Sequence, residues 1–166
     1  RASESKHILK VLNVTKKTNI KNLCSLDYNK LENYKKTLKL NRLIKRLTYI
    51  LLENKLVSDA EVYLSDNNFY DFGKLLFTSH KALKEYYEYT VDELDMLVDL
   101  LSKNKNCLGA KMVNANNTGC VIALLNKNIS EEQLETLKKE LNTLYKSKTE
   151  CELEFFDITT NDGVKK

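Results

Sequence analysis

The sequence predicts an α+β fold: a helix-rich N-terminal part followed by the order β-β-α-β. Apolar residues recur at helical spacing as far as Leu101. The pattern then changes to strand-like runs at 107–113 and 119–125, followed by one more helix and a closing strand at 151–158. We therefore expect a small antiparallel sheet covered by helices on one face. The chain has no proline, repeat or low-complexity linker, which indicates a single domain, 1–166.

Five helices are predicted ahead of the sheet. Asp27 is a candidate N-cap for the second, the segment 66–68 ends the third, and Thr90 with Glu93 has the spacing of a capping box for the fifth. The apolar faces, in chain order, are Ile8, Val11 and Leu12; Leu31, Tyr34 and Leu38; Leu43, Leu47, Ile50, Val57, Ala60 and Leu64; Phe69, Phe72, Leu76 and Leu83; and Val91, Leu94, Leu97, Val98 and Leu101.

The last third contains the predicted sheet. The run 119–125 is apolar throughout, which favours a central strand buried on both faces. Ser130 with Gln133 predicts a capping box for the helix that bears Leu134, Leu137, Leu141 and Leu144. Three strands make a small sheet, so a partner strand is expected in whatever precedes Arg1.

Composition excludes several classes of function. The net charge of +4 comes almost wholly from lysine, with arginine only at Arg1, Arg42 and Arg46, which argues against sequence-specific DNA reading. No apolar run approaches the roughly 20 residues of a membrane span. The four cysteines form no CxxC pair and there are two histidines, so no metal site is expected. We expect a cytoplasmic protein with reduced thiols and neither nucleic acid nor membrane as partner.

Three groups of residues are candidate sites. Ser79 and His80 suggest nucleophilic catalysis, but adjacent helical residues diverge by about 100°, so a packing or polar-network histidine is favoured. An acidic group suggests acid–base or metal chemistry, and a basic run suggests phosphate binding, yet a solvated helix surface explains each more simply. These groups are Glu85, Glu88, Asp92, Glu93, Asp95 and Asp99, and Lys35, Lys36, Lys39, Arg42, Lys45 and Arg46. No catalytic constellation is predicted in this chain.

The loop between the two adjacent strands is the remaining candidate. In "KMVNANNTGCVIALL" a loop of small residues joins two strand-like runs, which is typical of a hairpin turn and also of phosphate loops. Phosphate loops are usually rich in glycine because glycine permits positive φ and close backbone approach. This loop is built on asparagine, which tolerates left-handed conformations but adds side chains.

Asp71 to Val98 is similar to the pattern FGxLMxxSHxSLRDDYEVSxxELDxLV. By this pattern and those that follow, the chain resembles the C-terminal half of galactokinases, members of the GHMP family of small-molecule kinases. "IKRLTYILLENKLV" resembles RARHVxxENxRV, and "LGAKMVNANNTGCVIALL" resembles GARMTGAGFGGCxVAL, the third motif of the family. "FFDITTNDGVKK" resembles the closing strand and turn. The residues matched are Glu53, Asn54, Phe72, Gly73, Leu75, Ser79, His80, Leu83, Tyr87, Glu88, Glu93, Leu94, Asp95, Leu97, Val98, Gly119 and Cys120.

The resemblance implies one part of an enzyme that transfers the γ-phosphoryl group of ATP, with Mg²⁺, to galactose or a related sugar. In the family the catalytic aspartate, its arginine and the main ATP loop lie in the N-terminal half, which is absent here and is the expected partner. The isolated chain is therefore expected to be inactive and to need no cofactor. The third-motif loop implies a position near the phosphates for Val113, Asn114, Ala115, Asn116, Asn117, Thr118 and Gly119.

This chain departs from the family pattern in that loop. Of the glycines in TGAGFGG only Gly119 is retained, and the basic residue of the motif is Lys111. Two hypotheses follow: a C-terminal domain that closes the cleft of an active sugar kinase, and a non-catalytic galactokinase-derived sensor or interaction module.

Overall fold

Helices dominate the structure, and a two-stranded antiparallel sheet confirms the α+β class. The computed structural model describes residues 1–113 and 119–159. The two strands are β1 (Cys107–Val113) and β2 (Cys120–Leu125). A π-helical turn, Leu83–Tyr87, continues the fourth helix. The helices are α1 (Ala2–Lys16), α2 (Leu31–Lys35), α3 (Asn41–Ser65), α4 (Phe69–Ala82), α5 (Asp92–Lys103) and α6 (Glu131–Thr149).

The chain divides into two compact units, Arg1–Asn126 and Lys127–Lys166. The first contains α1 to α5 and both strands, and the second contains α6. The organisation as one domain, 1–166, stays a prediction. None of the helices found in residues 1–113 and 119–159 has the length and apolar character needed to cross a membrane.

The main apolar core of the first unit joins α1, α2 and the N-terminal half of α3. Asp27 is an N-cap, as predicted, but of a 3-10 turn, Tyr28–Lys30, that directly precedes α2. Its side chain accepts a hydrogen bond of 2.9 Å from the amide of Asn29. The core residues are Ile8, Leu12, Leu23, Leu31, Tyr34, Leu38, Leu43, Leu47 and Leu51.

The apolar face predicted for α3 is correct only over its first half. Leu43 and Leu47 are buried, whereas Val57 is 69% exposed and Leu64 is 45% exposed. The last buried residue of α3 is Leu56. Spacing identifies which residues share a face of a helix, but how far along the helix that face is covered depends on the neighbouring elements.

Helix α4 and strand β1 approach each other at backbone distance. A β-carbon on Gly73 would lie 2.2 Å from the carbonyl oxygen of Leu108, and one on Gly109 would lie 2.0 Å from the carbonyl oxygen of Gly73. The β1–β2 register is irregular between Cys107 and Gly109. Only glycine permits this contact, because it has no β-carbon. The two glycines therefore determine how closely β1 packs against α4.

The prediction that the second strand is buried on both faces was wrong. In β2, Cys120, Ile122 and Ala123 are exposed and the other three residues are half-buried. Within the part of the chain described, β1 is the one strand that pairs with β2. Burial on both faces needs a layer on each side, which an apolar sequence alone does not supply.

Two further local predictions were wrong. Residues 151–158 form no strand; the amide of Leu153 instead donates to Asn142 Oδ1 of α6 at 2.8 Å. Helix α5 begins at Asp92 without a side-chain cap, because the N-cap position is Val91, which has no polar side chain. The hydroxyl of Thr90 donates to Asp95 at 3.1 Å. The capping box of α6 was predicted correctly, with Ser130 and Gln133 each bonding the backbone of the other.

Candidate functional site at the base of the β1–β2 loop

The candidate phosphate loop joins the paired ends of β1 and β2. Val113, which is 41% exposed, pairs with Cys120, and Gly119 is half-buried. The antiparallel pairing confirms the predicted hairpin strands on either side of the loop. The remaining predicted site residues, Asn114, Ala115, Asn116, Asn117 and Thr118, lie outside the described residues. Their contact with phosphate stays a prediction.

A buried histidine connects α4 to β1 just before this loop. His80 is 5% exposed, and its Nδ1 accepts a hydrogen bond from the amide of Met112 at 3.3 Å. Nδ1 therefore carries no proton, and the proton of the neutral ring is on Nε2. Nε2 lies 3.2 Å from Asp95 Oδ1. These partners fix one tautomer. Through them His80 connects α4 to β1 and to α5.

Asp95 is the anionic centre of this network and is 4% exposed. Its Oδ2 accepts from Lys84 at 2.8 Å and from the Thr90 hydroxyl. Its Oδ1 faces His80 without a well-aligned donor among the described residues. The expectation of a solvated acidic surface is thus wrong for Asp95, because the surrounding elements bury it.

Lys111 has its own set of partners on the helices. Its ammonium lies 2.6 Å from Ser79 Oγ and 3.8 Å from Glu53 Oε2. Ser79 is buried, and the side chains of Lys111 and Glu53 are both 25% exposed. Glu53 Oε1 is buried and has no hydrogen-bond partner among the described residues. The cation is therefore held between α3 and α4.

An aromatic pair borders Glu53. The rings of Tyr49 and Tyr87 stack with centroids 4.4 Å apart. Burial, together with the charge of Glu53 and the neighbouring Tyr87, raises the pKa of Tyr49 to about 12. Tyr49 is therefore a neutral phenol at physiological pH and does not act as a base.

A second ionic cluster surrounds Arg46, which was expected to be solvated and is 3% exposed. Its Nε donates to Glu4 at 2.9 Å, and a terminal nitrogen donates to Glu88 at 2.8 Å. Another terminal nitrogen donates to the carbonyl oxygen of Tyr86. The hydrogen bond from Arg46 is the main cause that holds the pKa of Glu4 below its ordinary value of 4.5. Arg46 is a structural cation and is not available to a phosphate backbone.

The geometry does not support nucleophilic catalysis by Ser79. The Ser79 hydroxyl bonds to Lys111, whereas His80 faces Met112 and Asp95, so the two adjacent side chains have separate partners. Among residues 1–113 and 119–159 no three histidine, cysteine or carboxylate side chains are grouped to hold a metal ion. The arrangement can instead position the end of β1.

Sequence reasoning missed which residues assemble here. Glu53 and Lys111 stood out only as positions of family patterns. Ser79 and His80 belonged to one candidate group and Asp95 to another. A usable signal was a lysine within the otherwise apolar run 107–113. A charge in such a run needs a partner, but the sequence does not reveal which helix supplies it.

Comparison with known proteins gives matches to galactokinases over most of this chain. The chain is 38% identical over 145 residues to a galactokinase of Clostridium tetani, a match that covers 87% of this chain and 36% of that protein. It is 36% identical over 146 residues to a galactokinase of Staphylococcus saprophyticus, which covers 88% and 37%. No protein-family model matches. The chain thus spans little more than a third of the length of these relatives.

The fold is similar to that of a solved galactokinase. The crystal structure of Lactococcus lactis galactokinase complexed with galactose matches with a TM-score of 0.78 and 28% sequence identity. The match covers 90% of this chain and 37% of the solved one.

Proposed function

This chain belongs by sequence and by fold to the galactokinase family, and from that premise we propose that it is the C-terminal domain of a galactokinase-like sugar kinase. In this proposal it closes one wall of the active-site cleft against an N-terminal kinase part and is inactive alone. The whole protein transfers the γ-phosphoryl group of ATP to galactose or a related sugar in the cytoplasm.

The observation that carries the proposal is that residues of the shared sequence patterns form two sets of polar contacts beside β1. The ammonium of Lys111 contacts Ser79 and Glu53. His80 contacts Asp95 and the amide of Met112. Polar contacts between different elements favour one arrangement of those elements. Contacts of this kind support a framework role for this chain rather than a catalytic one.

The described residues fit a position that borders an ATP–Mg²⁺ site, and they do not form such a site themselves. Lys111 is committed to Glu53 and Ser79, and the part of the chain described groups no three side chains that would hold a metal ion. Phosphoryl transfer relies on positioning and electrostatic stabilisation, and the ATP–Mg²⁺ pair supplies the reacting group. We propose that this chain supplies the loop Val113–Gly119 beside the phosphates, and that the N-terminal part supplies the catalytic groups.

The test is a phosphate-transfer assay of the full-length protein that carries this chain. With ATP, Mg²⁺ and galactose we expect galactose 1-phosphate from the full-length protein and none from the 166-residue chain under the same conditions. A panel of related sugars, including N-acetylgalactosamine, identifies the substrate. A folded full-length protein that binds neither ATP nor any of these sugars would contradict the proposal.

A second candidate is a non-catalytic galactokinase-derived sensor or interaction module. The asparagine-rich composition of the loop favours it, because side chains oppose the close approach of backbone to phosphate. Replacing Asn114, Asn116 and Thr118 with glycine in the full-length protein separates the candidates. A large gain in ATP affinity indicates a degenerate site, whereas unchanged affinity in an active enzyme indicates a competent loop.

A further inference from the structure

Two consecutive residues of β1 are fixed to helices immediately before the loop Val113–Gly119. The ammonium of Lys111 bonds to Ser79 on α4 and lies near Glu53 on α3, and the amide of Met112 donates to His80 on α4. Ser79 and His80 are adjacent on the most buried part of their helix. The last residues of β1 are therefore tied to both helices through side chains.

Lys111 supplies the positive charge that the structure shows beside the Glu53 carboxylate. Glu53 Oε1 already lacks a donor among the described residues, and the ammonium of Lys111 is the cation that the structure shows next to Oε2. A partly buried carboxylate without its cation is strongly unfavourable. Loss of the Lys111 charge is thus expected to drive Glu53 towards solvent and to release the end of β1.

We propose that Lys111 is a positioning residue that fixes the end of β1, from which the loop to β2 starts, through its bridge to Ser79 and Glu53. The effect on nucleotide binding rests on the proposed function, which puts this loop beside the phosphates of ATP. Lys111 itself does not bind phosphate, because its ammonium is engaged with the two helices. Loss of the bridge weakens ATP binding and leaves sugar binding unchanged.

The first experiment measures amide hydrogen exchange in the 166-residue chain and requires no kinase activity. In Ser79→Ala and Lys111→Met, we expect the amide of Met112, which donates to His80, to exchange about tenfold faster, since the end of β1 separates more easily from α4. Thr78→Ala is the matched control, because Thr78 is exposed on the same helix and its hydroxyl bonds only to Lys74 of that helix in the described structure. Lys111→Arg keeps the charge and should retain most of the protection. Unchanged exchange in both test variants would overturn the positioning role.

The second experiment measures steady-state kinetics in the full-length protein. Lys111→Met is expected to raise the KM for ATP about tenfold, with kcat and the KM for sugar within about twofold of wild type, and Lys111→Arg should restore it. A purely structural role would lower thermal stability without this split between the two KM values. Equal changes in both KM values, or none, would refute the nucleotide effect. If the wild-type protein transfers no phosphate, the proposed function fails, and hydrogen exchange alone still decides the positioning role.

Discussion

At the residue scale, the surroundings of His80 determine its protonation state. Burial is the largest cause that lowers its pKa below the ordinary 6.5; the positive charge of Lys84 acts in the same direction, and the carboxylates Asp95 and Asp99 oppose it. Protonation would add a hydrogen to Nδ1, and this hydrogen would face the amide hydrogen of Met112. A charged ring is therefore incompatible with the hydrogen bond that Met112 donates to His80.

The first prediction concerns the pH dependence of stability. Because the pKa of His80 is lower in the folded than in the unfolded chain, the unfolded state takes up the proton first as the pH falls. The free energy of unfolding should therefore decrease from about pH 6.5 downwards, through the folded pKa, while His80 contributes no pH dependence well above pH 6.5. Chemical denaturation at a series of pH values between 5 and 8 measures this.

The control uses the second histidine of the chain. In His80→Asn, the decrease in stability between pH 7 and pH 5 should be smaller than in wild type. His7→Asn is the matched substitution at an exposed histidine. Carboxylates such as Glu4 and Glu88, whose pKa values are lowered by their hydrogen bonds to cations, contribute at more acidic pH in all three proteins. An identical slope in His80→Asn and wild type would contradict the argument.

At the element scale, the contact of α4 with β1 depends on the absence of two side chains. Gly73 lies within α4, where glycine is ordinarily less favourable than alanine by about 1 kcal/mol. The backbone of Leu108 occupies the space that a β-carbon of Gly73 would need. Packing therefore overrides helix propensity at this position.

The second prediction follows from that conflict. Gly73→Ala should lower the free energy of unfolding by at least about 2 kcal/mol, because backbone at 2.2 Å has to move to admit the methyl group. Urea denaturation followed by circular dichroism measures the change. Lys81→Ala, at a highly exposed position of the same helix, should stay within about 0.5 kcal/mol of wild type. A stabilised Gly73→Ala protein would show that propensity dominates and that the contact with β1 is not close.

At the scale of the whole first unit, Arg46 joins segments that are distant in sequence. Glu4 lies on α1, Arg46 on α3, and Glu88 follows the π-helical turn with a left-handed φ of 54°. The hydrogen bonds span 42 residues in each direction. Glu4 also contacts Arg42, and Glu88 also contacts Lys45. Removal of Arg46 therefore leaves both carboxylates with a cation but breaks the hydrogen bonds that join the distant segments.

The third prediction compares two arginines that bind the same carboxylate. Arg46→Met should destabilise the chain by about 2–3 kcal/mol, since Glu4 and the carbonyl of Tyr86 lose a buried donor. Arg42→Met also removes a 2.7 Å contact with Glu4, but the Arg42 side chain is 71% exposed, so the expected loss is within about 1 kcal/mol. Urea denaturation of both variants gives the comparison. Equal losses would mean that burial does not govern the strength of this cluster.

Local periodicity allowed the sequence to determine the helices and the hairpin. The bounds predicted for β1 agree with the structure, the break after α3 falls where 66–68 indicates, and Ser130 with Gln133 caps α6. These features depend on residues only a few positions apart, and such residues interact whatever the rest of the chain does. The order of the family patterns along the chain also indicated the galactokinase relationship.

The tertiary structure alone decided which polar residues meet and which apolar residues are covered. Nothing local distinguishes Arg46 and Asp95, which are buried, from neighbouring charges that are solvated. Similarly, β2 and the C-terminal half of α3 have core-like sequences yet remain largely exposed. Burial and ion pairing depend on segments that lie far apart in sequence and come together only in the fold, so spacing along one segment does not specify them.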